Sequence, residues 1–231
     1  MTPTVVIMAA GKGTRMGELT KHTPKHLLPV RGRPFLEYTF DRLRAAGFRR
    51  VVVCVQHLAE AFDRYASEDI VIVRQPDNGK YGTAAVIEAV RSTVGEQPFA
   101  CIAGDNLYSA VDLQKVSVDS SSTWIGGFRT AAWRGMGILK QTDEGYLDQI
   151  IEKPTTFVGD LVNASLYRFS PSIYQAVESI GPSIRGEYEI TDAINLIAKQ
   201  ELVNVFELEE RWFDLTVPDD IQKIARALPP T

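Results

Sequence analysis

Apolar positions along this chain follow two periods. Short unbroken apolar runs read as strands buried on both faces of a parallel sheet. They are Val5-Val6-Ile7-Met8-Ala9-Ala10, Val51-Val52-Val53-Cys54-Val55, Ile70-Val71-Ile72-Val73 and Phe99-Ala100-Cys101-Ile102-Ala103. Between them, apolar residues recur at helical spacing. Pro34 opens one helix, with Phe35, Leu36, Phe40 and Leu43 on one face and Gly47 ending it. Residues 58–66 give a second, shorter helix, and Gly82-Thr83 open a third that carries Ala85, Ile87, Ala89 and Val90. Strands alternating with helices in this order require right-handed crossovers in a mainly parallel sheet.

Beyond residue 106 the pattern changes. Residues 107–122 hold a short helix and a polar linker, 118–122. Short strands follow at 124–128, 136–139 and 146–151, the last two joined by the hairpin turn Thr142-Asp143-Glu144-Gly145. A longer strand is expected at 161–169. Ser170 then caps a helix with Pro171 in its first turn. Gly186 to Ile194 reads as an acid-rich helix start, favourable at the positive end of the helix dipole, and is structural by default. Val203-Asn204-Val205-Phe206 is a strand, and Pro218-Asp219-Asp220 begins the last helix. No linker separates a second unit and no repeat is visible, so residues 1–231 are expected to form a single domain.

The 231 residues are 45% hydrophobic and 23% charged, ordinary values for a globular protein. A net charge of −4 gives no global signal for nucleic acid or an anionic membrane. Positive charge is local: Lys12, Arg15, Lys21, Lys25, Arg31 and Arg33 face only Glu18 in the first 33 residues, which suits a small anionic substrate. Cys54 and Cys101 lie inside apolar runs and read as buried thiols, and His22, His26 and His57 lack metal-ligand spacing. No signal peptide and no apolar run of ~20 residues is seen. A reduced, cytoplasmic protein is expected.

The first strand stops at Gly11-Lys12-Gly13-Thr14-Arg15. Two glycines let a backbone turn sharply and bring its N–H groups close to a ligand, while Lys12, Arg15 and Lys25 supply charge. A strand end, a glycine loop and nearby cations make a seat for a polyphosphate. The dinucleotide fingerprint fits worse, because the third glycine, Gly17, comes one place late, and the Walker pattern is absent.

Gly11-Lys12-Gly13-Thr14-Arg15-Met16 followed by Thr23-Pro24-Lys25-His26-Leu27-Leu28-Pro29-Val30 resembles the opening of the sugar-phosphate nucleotidylyltransferases, the glucose-1-phosphate thymidylyl- and uridylyltransferase-like enzymes. Further family-like patterns follow in order: Gln75-Pro76 with Gly82-Thr83-Ala84, Gly104-Asp105, Glu152-Lys153-Pro154, Asn163-Ala164-Ser165 and Trp212-Phe213-Asp214. The resemblance covers nearly the whole chain and corresponds to a catalytic domain alone. It implies a Rossmann-like three-layer α/β sandwich with a mixed, mainly parallel central sheet, and transfer of a nucleotide from UTP or dTTP to a sugar 1-phosphate.

Site roles follow from the same resemblance. Arg15 and Lys25 would be catalytic. Ala10, Gly11, Gly13, Thr14, Gln75, Gly82 and Thr83 would bind the nucleotide, and Gly137, Glu152, Lys153 and Asn163 the sugar phosphate. Asp105 and Asp214 would hold Mg2+. Read alone, several have plainer explanations: Gln75 a surface polar residue, Asp105 an Asx-turn, Glu152-Lys153-Pro154 an exposed pair before a turn, and Asp214 a helix cap. The chain departs from the family at Glu18, where proline is frequent, at Ala10-Gly11, where two glycines are frequent, and at Ser165, where glycine is usual. Two other functions stay open: a cytidylyltransferase acting on a phosphorylated alcohol such as phosphocholine, and a non-catalytic nucleotide-binding regulatory subunit. The sequence also leaves open whether the chain forms a homo-oligomer.

Overall fold

The computed structural model describes residues 3–117, 121–210 and 212–228. Strand β1 (Thr4–Ala9) runs into the glycine loop, then a 3-10 segment (Thr14–Thr20) bent at Gly17, then a 3-10 turn (Lys25–Leu27). The small hairpin of β2 (Pro29–Val30) and β3 (Arg33–Pro34) leads to α1 (Phe35–Ala45). Next come β4 (Arg50–Val55), a 3-10 segment (Ala59–Tyr65), β5 (Ile70–Arg74), α2 (Thr83–Val94), β6 (Phe99–Ala103), β7 (Asn106–Leu107) and α3 (Ala110–Ser117). The second half contains β8 (Trp124–Arg129), β9 (Ile138–Gln141), β10 (Leu147–Ile151), β11 (Leu161–Phe169), α4 (Ser172–Ser179), α5 (Ile190–Ala198), β12 (Asn204–Glu207), β13 (Phe213–Asp214) and α6 (Pro218–Ala227).

The expected mixed, mainly parallel sheet is present. Its main path is β10-β9-β11-β6-β1-β4-β5, with β8 on β11 and β12 on β8. Strands β6, β1, β4 and β5 are mutually parallel where they pair. The antiparallel β11 then grafts the second half onto β6. Helices cover both faces and make the third layer. One side buries Leu36, Phe40 and Leu43 of α1, Phe62, and Leu113 and Val116 of α3. The other buries Ile87 and Val90 of α2, Ile173 of α4, and Ile194 and Ile197 of α5. A third cluster of Met16, Leu28, Val30, Phe35, Leu215 and Ile224 locks α6 to the N-terminal hairpin. Each buried aliphatic or aromatic side chain is worth about 1.5–3 kcal/mol over exposure, so the docking of α6 is driven by apolar contact.

Several local expectations change. Pro34 pairs with Pro29 in the β2–β3 hairpin and precedes α1 instead of opening it. Residues 59–65 form a 3-10 segment, with Ala59 and Phe62 the buried positions. A 3-10 segment also follows the glycine loop at once. Strand β9 starts at Ile138, and Met136 and Gly137 before it line the cleft. Ser170 does not cap α4: its hydroxyl lies 3.1 Å from Thr123 Oγ1 and 2.6 Å from Ser172 Oγ. Of the polar linker, residues 118–120 lie outside the described residues. Both thiols are free and buried, as expected, and burial pushes Cys54 up to about 12. Among the described residues, no helix is long and apolar enough to cross a membrane.

Candidate active site

Ligand sites in open α/β sheets form at the carboxyl ends of parallel strands. Here Ala10-Gly11 follow β1, Gln75 follows β5, and Asp105 comes just beyond β6. The cleft above them has a volume of about 720 Å³, within the usual range for small-molecule sites. Its walls contain every residue expected at the site except Gly13 and Thr14. One wall carries Ala10, Gly11, Gln75, Gly82 and Thr83; the strands of the second half carry Gly137, Glu152, Lys153 and Asn163; and Arg15, Lys25, Asp105 and Asp214 also face in.

The two loop glycines have different reasons. Gly13 has φ +67, and a Cβ there would come within 3.0 Å of Lys25 Cβ and 3.1 Å of Thr20 Cγ2. Its carbonyl accepts from Met16 N (2.9 Å) and Thr20 Oγ1 (3.0 Å). Gly13 therefore seats Lys25 from outside the cleft. A Cβ on Gly11 would meet no atom within 4 Å, and its φ is ordinary, so nothing in the fold requires glycine there.

Gln75 is no surface residue, being only 5% exposed. Its Nε2 donates to Lys80 O at 3.2 Å, which fixes the amide, and its Oε1 is left buried without a partner. Gly82 begins α2 at φ +126, where a Cβ would approach Tyr188 O to 2.5 Å and Tyr188 N to 2.7 Å. This close approach clips the 186–190 segment to α2. Ala84 N donates to Tyr188 O (2.9 Å), Tyr188 N to Tyr81 O (2.8 Å) and Ile190 N to Thr83 Oγ1 (2.9 Å).

Lys25 is buried, and its ammonium is hydrogen-bonded to Asp105 Oδ2. Burial pushes the Asp105 carboxyl up, but the Lys25 charge and hydrogen bond outweigh it, so the carboxyl titrates below its usual range. Asp214 goes the other way: burial and the Asp105 charge raise it against the hydrogen bond from Trp212 Nε1 (3.1 Å). Asp105 lies in the turn after β6, and its carboxylate also accepts from the distant Lys25. The capping role near α6 belongs to Asp220 instead of Asp214: its Oδ2 accepts from Val217 N (2.8 Å) and Thr216 N (3.0 Å). Among the described residues no three acidic, His or Cys side chains gather into a self-contained metal cage. Two carboxylates facing one cleft fit the sparser protein donor set that Mg2+ takes, since it keeps several waters and fills its shell with substrate oxygens.

At the far end, a Cβ on Gly137 would lie 2.9 Å from Glu152 Oε2, so glycine leaves room for that carboxylate. Lys153 holds φ +45 and lies 3.6 Å from Glu152. Sequence reasoning gave no role to two cleft residues, Arg185 and His26. Arg185 pairs with Glu189 at 2.6 Å and reaches Glu152 at 3.4 Å, so the 186–190 segment is part of the site as well as a helix start. His26 is buried beside Lys25, its Nδ1 unpartnered; burial, then the Lys25 charge, lower it to about 4, so it is neutral near pH 7. An arginine just before an acid-rich helix start was the available signal for Arg185; nothing local marks His26.

The profile of the family described as nucleotidyl transferase matches residues 4–229. The chain is 33% identical, over 93% of its length, to a bifunctional sugar-1-phosphate nucleotidylyltransferase/acetyltransferase of Sulfurisphaera tokodaii, of which the match spans 53%. It is 30% identical to UTP–glucose-1-phosphate uridylyltransferase AglF of Haloferax volcanii, over 93% of this chain and 92% of that one. The chain thus spans about half the length of some curated relatives and nearly all of another. A crystal structure of UDP-glucose pyrophosphorylase complexed with UDP-glucose superposes with a TM-score of 0.88, covering 98% of both chains at 20% identity, a likeness of fold.

Proposed function

Since the chain belongs to the nucleotidyl transferase family, we propose that it joins a nucleoside triphosphate to a sugar 1-phosphate, giving a nucleoside diphosphate sugar and pyrophosphate. The observation that carries this reading is the convergence in one cleft of Gln75 and Gly82, the cations Arg15, Lys25 and Lys153, and the carboxylates Asp105 and Asp214. Residues 1–231 would act as one catalytic unit in the cytoplasm, a compartment that suits two free thiols.

A sugar phosphate, with second pKa near 6, is mostly a dianion at pH 7 and needs no strong base to attack. Its oxygen bonds to the α-phosphorus as the bond from that phosphorus to the β-phosphate oxygen breaks, and pyrophosphate leaves with the electron pair. The work left to the protein is alignment and relief of anion repulsion. Arg15 holds the polyphosphate, Lys25 lies toward the α-phosphate, and Lys153 holds the attacking phosphate. Glu152 accepts from sugar hydroxyls, and Asn163 lines the same wall. Asp105 and Asp214 would hold Mg2+, which supplies charge neutralisation on the phosphates.

Gln75 supports uracil or thymine as the base. Its orphaned Oε1 can accept the imide N–H of either, whereas cytosine presents an acceptor at that position and would leave two acceptors facing. This argues against the cytidylyltransferase reading. The presence of the full charged set argues against a non-catalytic regulatory subunit. The test is pyrophosphate release across four NTPs and a panel of sugar and alcohol phosphates. Turnover with UTP or dTTP plus a sugar 1-phosphate, abolished in Asp105→Ala, is expected; turnover only with CTP and an alcohol phosphate sinks the proposal.

A further inference from the structure

Strands β7 and β13 pair so that Asp214 stands opposite Asn106, the neighbour of Asp105, and Leu215 N donates to Asp105 O at 2.8 Å. The two carboxylates thus hang from one short ribbon. Asn106 is 5% exposed and Tyr108 2%. With the Asn106 amide nitrogen turned to Asp214 Oδ1, its oxygen lies 3.1 Å from Trp212 Nε1 and 3.0 Å from the Tyr108 hydroxyl. That hydroxyl also reaches two carbonyls of β11, Ala164 O at 2.7 Å and Ser165 O at 2.9 Å.

Those carbonyls belong to a bulge, where the β11–β8 register shifts between Asn163 and Tyr167. Ser165 adopts φ +54 there, a conformation that costs a serine free energy unless its surroundings hold it. Its N–H donates to Asn163 Oδ1 at 2.9 Å, and Asn163 Nδ2 donates to Tyr167 OH at 2.9 Å. Buried polar groups therefore run from Asp214 through Asn106 and Tyr108 to the bulge carrying Ser165 and Asn163, both of which line the cleft. A phenol has one proton to divide among these acceptors. A change at the Asn106 end therefore alters what the bulge receives.

We propose that Asn106 and Tyr108 are positioning residues that couple the Asp214 carboxylate to the sugar-side bulge of β11. The proposal rests on the cation and sugar-phosphate assignments above. Asn106 lines the cleft beside Asp214, and Tyr108 is not among the lining residues. Asn106 fixes the rotation of the Asp214 carboxylate, and Tyr108 ties that rotation to the shape of the sugar wall. Groups that orient a metal ligand typically change metal affinity 10- to 100-fold when removed.

Two equilibrium measurements on the full chain test this without turnover. Mn2+ affinity is read from the free-ion EPR signal, and the sugar contribution is the ratio of UDP-glucose to UDP affinity by calorimetry. Asn106→Ala is expected to weaken Mn2+ binding about tenfold or more and also to lower the UDP-glucose/UDP ratio. Tyr108→Phe keeps the ring and removes one oxygen; it is expected to lower both quantities, and the double variant to lose less than the product of the single losses. Should Asn106→Ala fail to fold, Tyr108→Phe carries the test alone. Mn2+ affinity within twofold of the native protein in Tyr108→Phe, or a lowered sugar ratio with Mn2+ affinity unmoved, overturns the coupling, as does a native protein that binds no Mn2+. A native protein that binds Mn2+ but shows no pyrophosphate release in the substrate panel overturns the proposed reaction instead, and leaves the Mn2+ comparison decisive for the link.

Discussion

Gly82→Ala probes the clip that holds one side of the cleft. The new Cβ would sit 2.5 Å from Tyr188 O and 2.7 Å from Tyr188 N, and both are backbone atoms already bonded to Ala84 N and Tyr81 O. Neither can retreat without breaking those bonds. Forcing a methyl into packed surroundings costs about 1–3 kcal/mol. The backbone adds to this: φ +126 with ψ 178 is a region for glycine, and a side chain there costs another ~1–3 kcal/mol. A loss of about 2–6 kcal/mol follows. At roughly 2–4 °C per kcal/mol for a chain of this size, the melting temperature falls by about 4–24 °C. The assay is urea unfolding beside a thermal melt, with Gly181→Ala as control, since a Cβ there meets nothing within 4 Å and its φ is not positive. The control is expected to match the native protein or exceed it slightly. A Gly82→Ala protein within 1 kcal/mol of native would refute the claim that this contact forces glycine.

Two other expectations follow from the same cleft. Gly11→Ala should keep native stability, because a Cβ there meets nothing, yet bind UTP more weakly by calorimetry; unchanged UTP binding would remove the loop from the nucleotide site. Asp214→Asn should abolish turnover but melt higher than the native protein near pH 7.5. The Asp214 carboxyl is raised by burial and by Asp105, so its ionised form costs the folded state stability above its folded pKa, and that cost disappears as pH falls below the unfolded value of about 3.9. The gain should therefore shrink on acidification; a variant less stable than native at pH 7.5 contradicts the assignment.

The sheet was legible because unbroken apolar, largely β-branched runs such as Val51–Val55 have few alternatives to a buried strand. The 3-10 segment at 59–65 was not, since its spacing of Ala59 and Phe62 suits an α-helix equally well. The site was legible as motifs but not as causes. Gly11 and Gly13 look equivalent in sequence, yet one seats Lys25 and the other leaves space open. Gln75 gave no sign of being buried, because nothing local shows that its amide will bond the Lys80 carbonyl. The Asn106–Tyr108 connection could not be read at all, since it depends on partners in β13 and β11, which are distant in the chain.

The ribbon of β7 and β13 also bears on how the protein comes into being. Phe213 and Asp214 are nearly the last residues before α6, and their partners are less than halfway along. During synthesis, the strands of the main sheet are all made before Asp214 can take its seat. Asp214 is therefore the later of the two cleft carboxylates to be made, just ahead of Leu215 and Ile224, which pack with Met16 and Phe35. Under the proposed reaction, loosening that docking would displace a metal-holding group while most of the architecture stands.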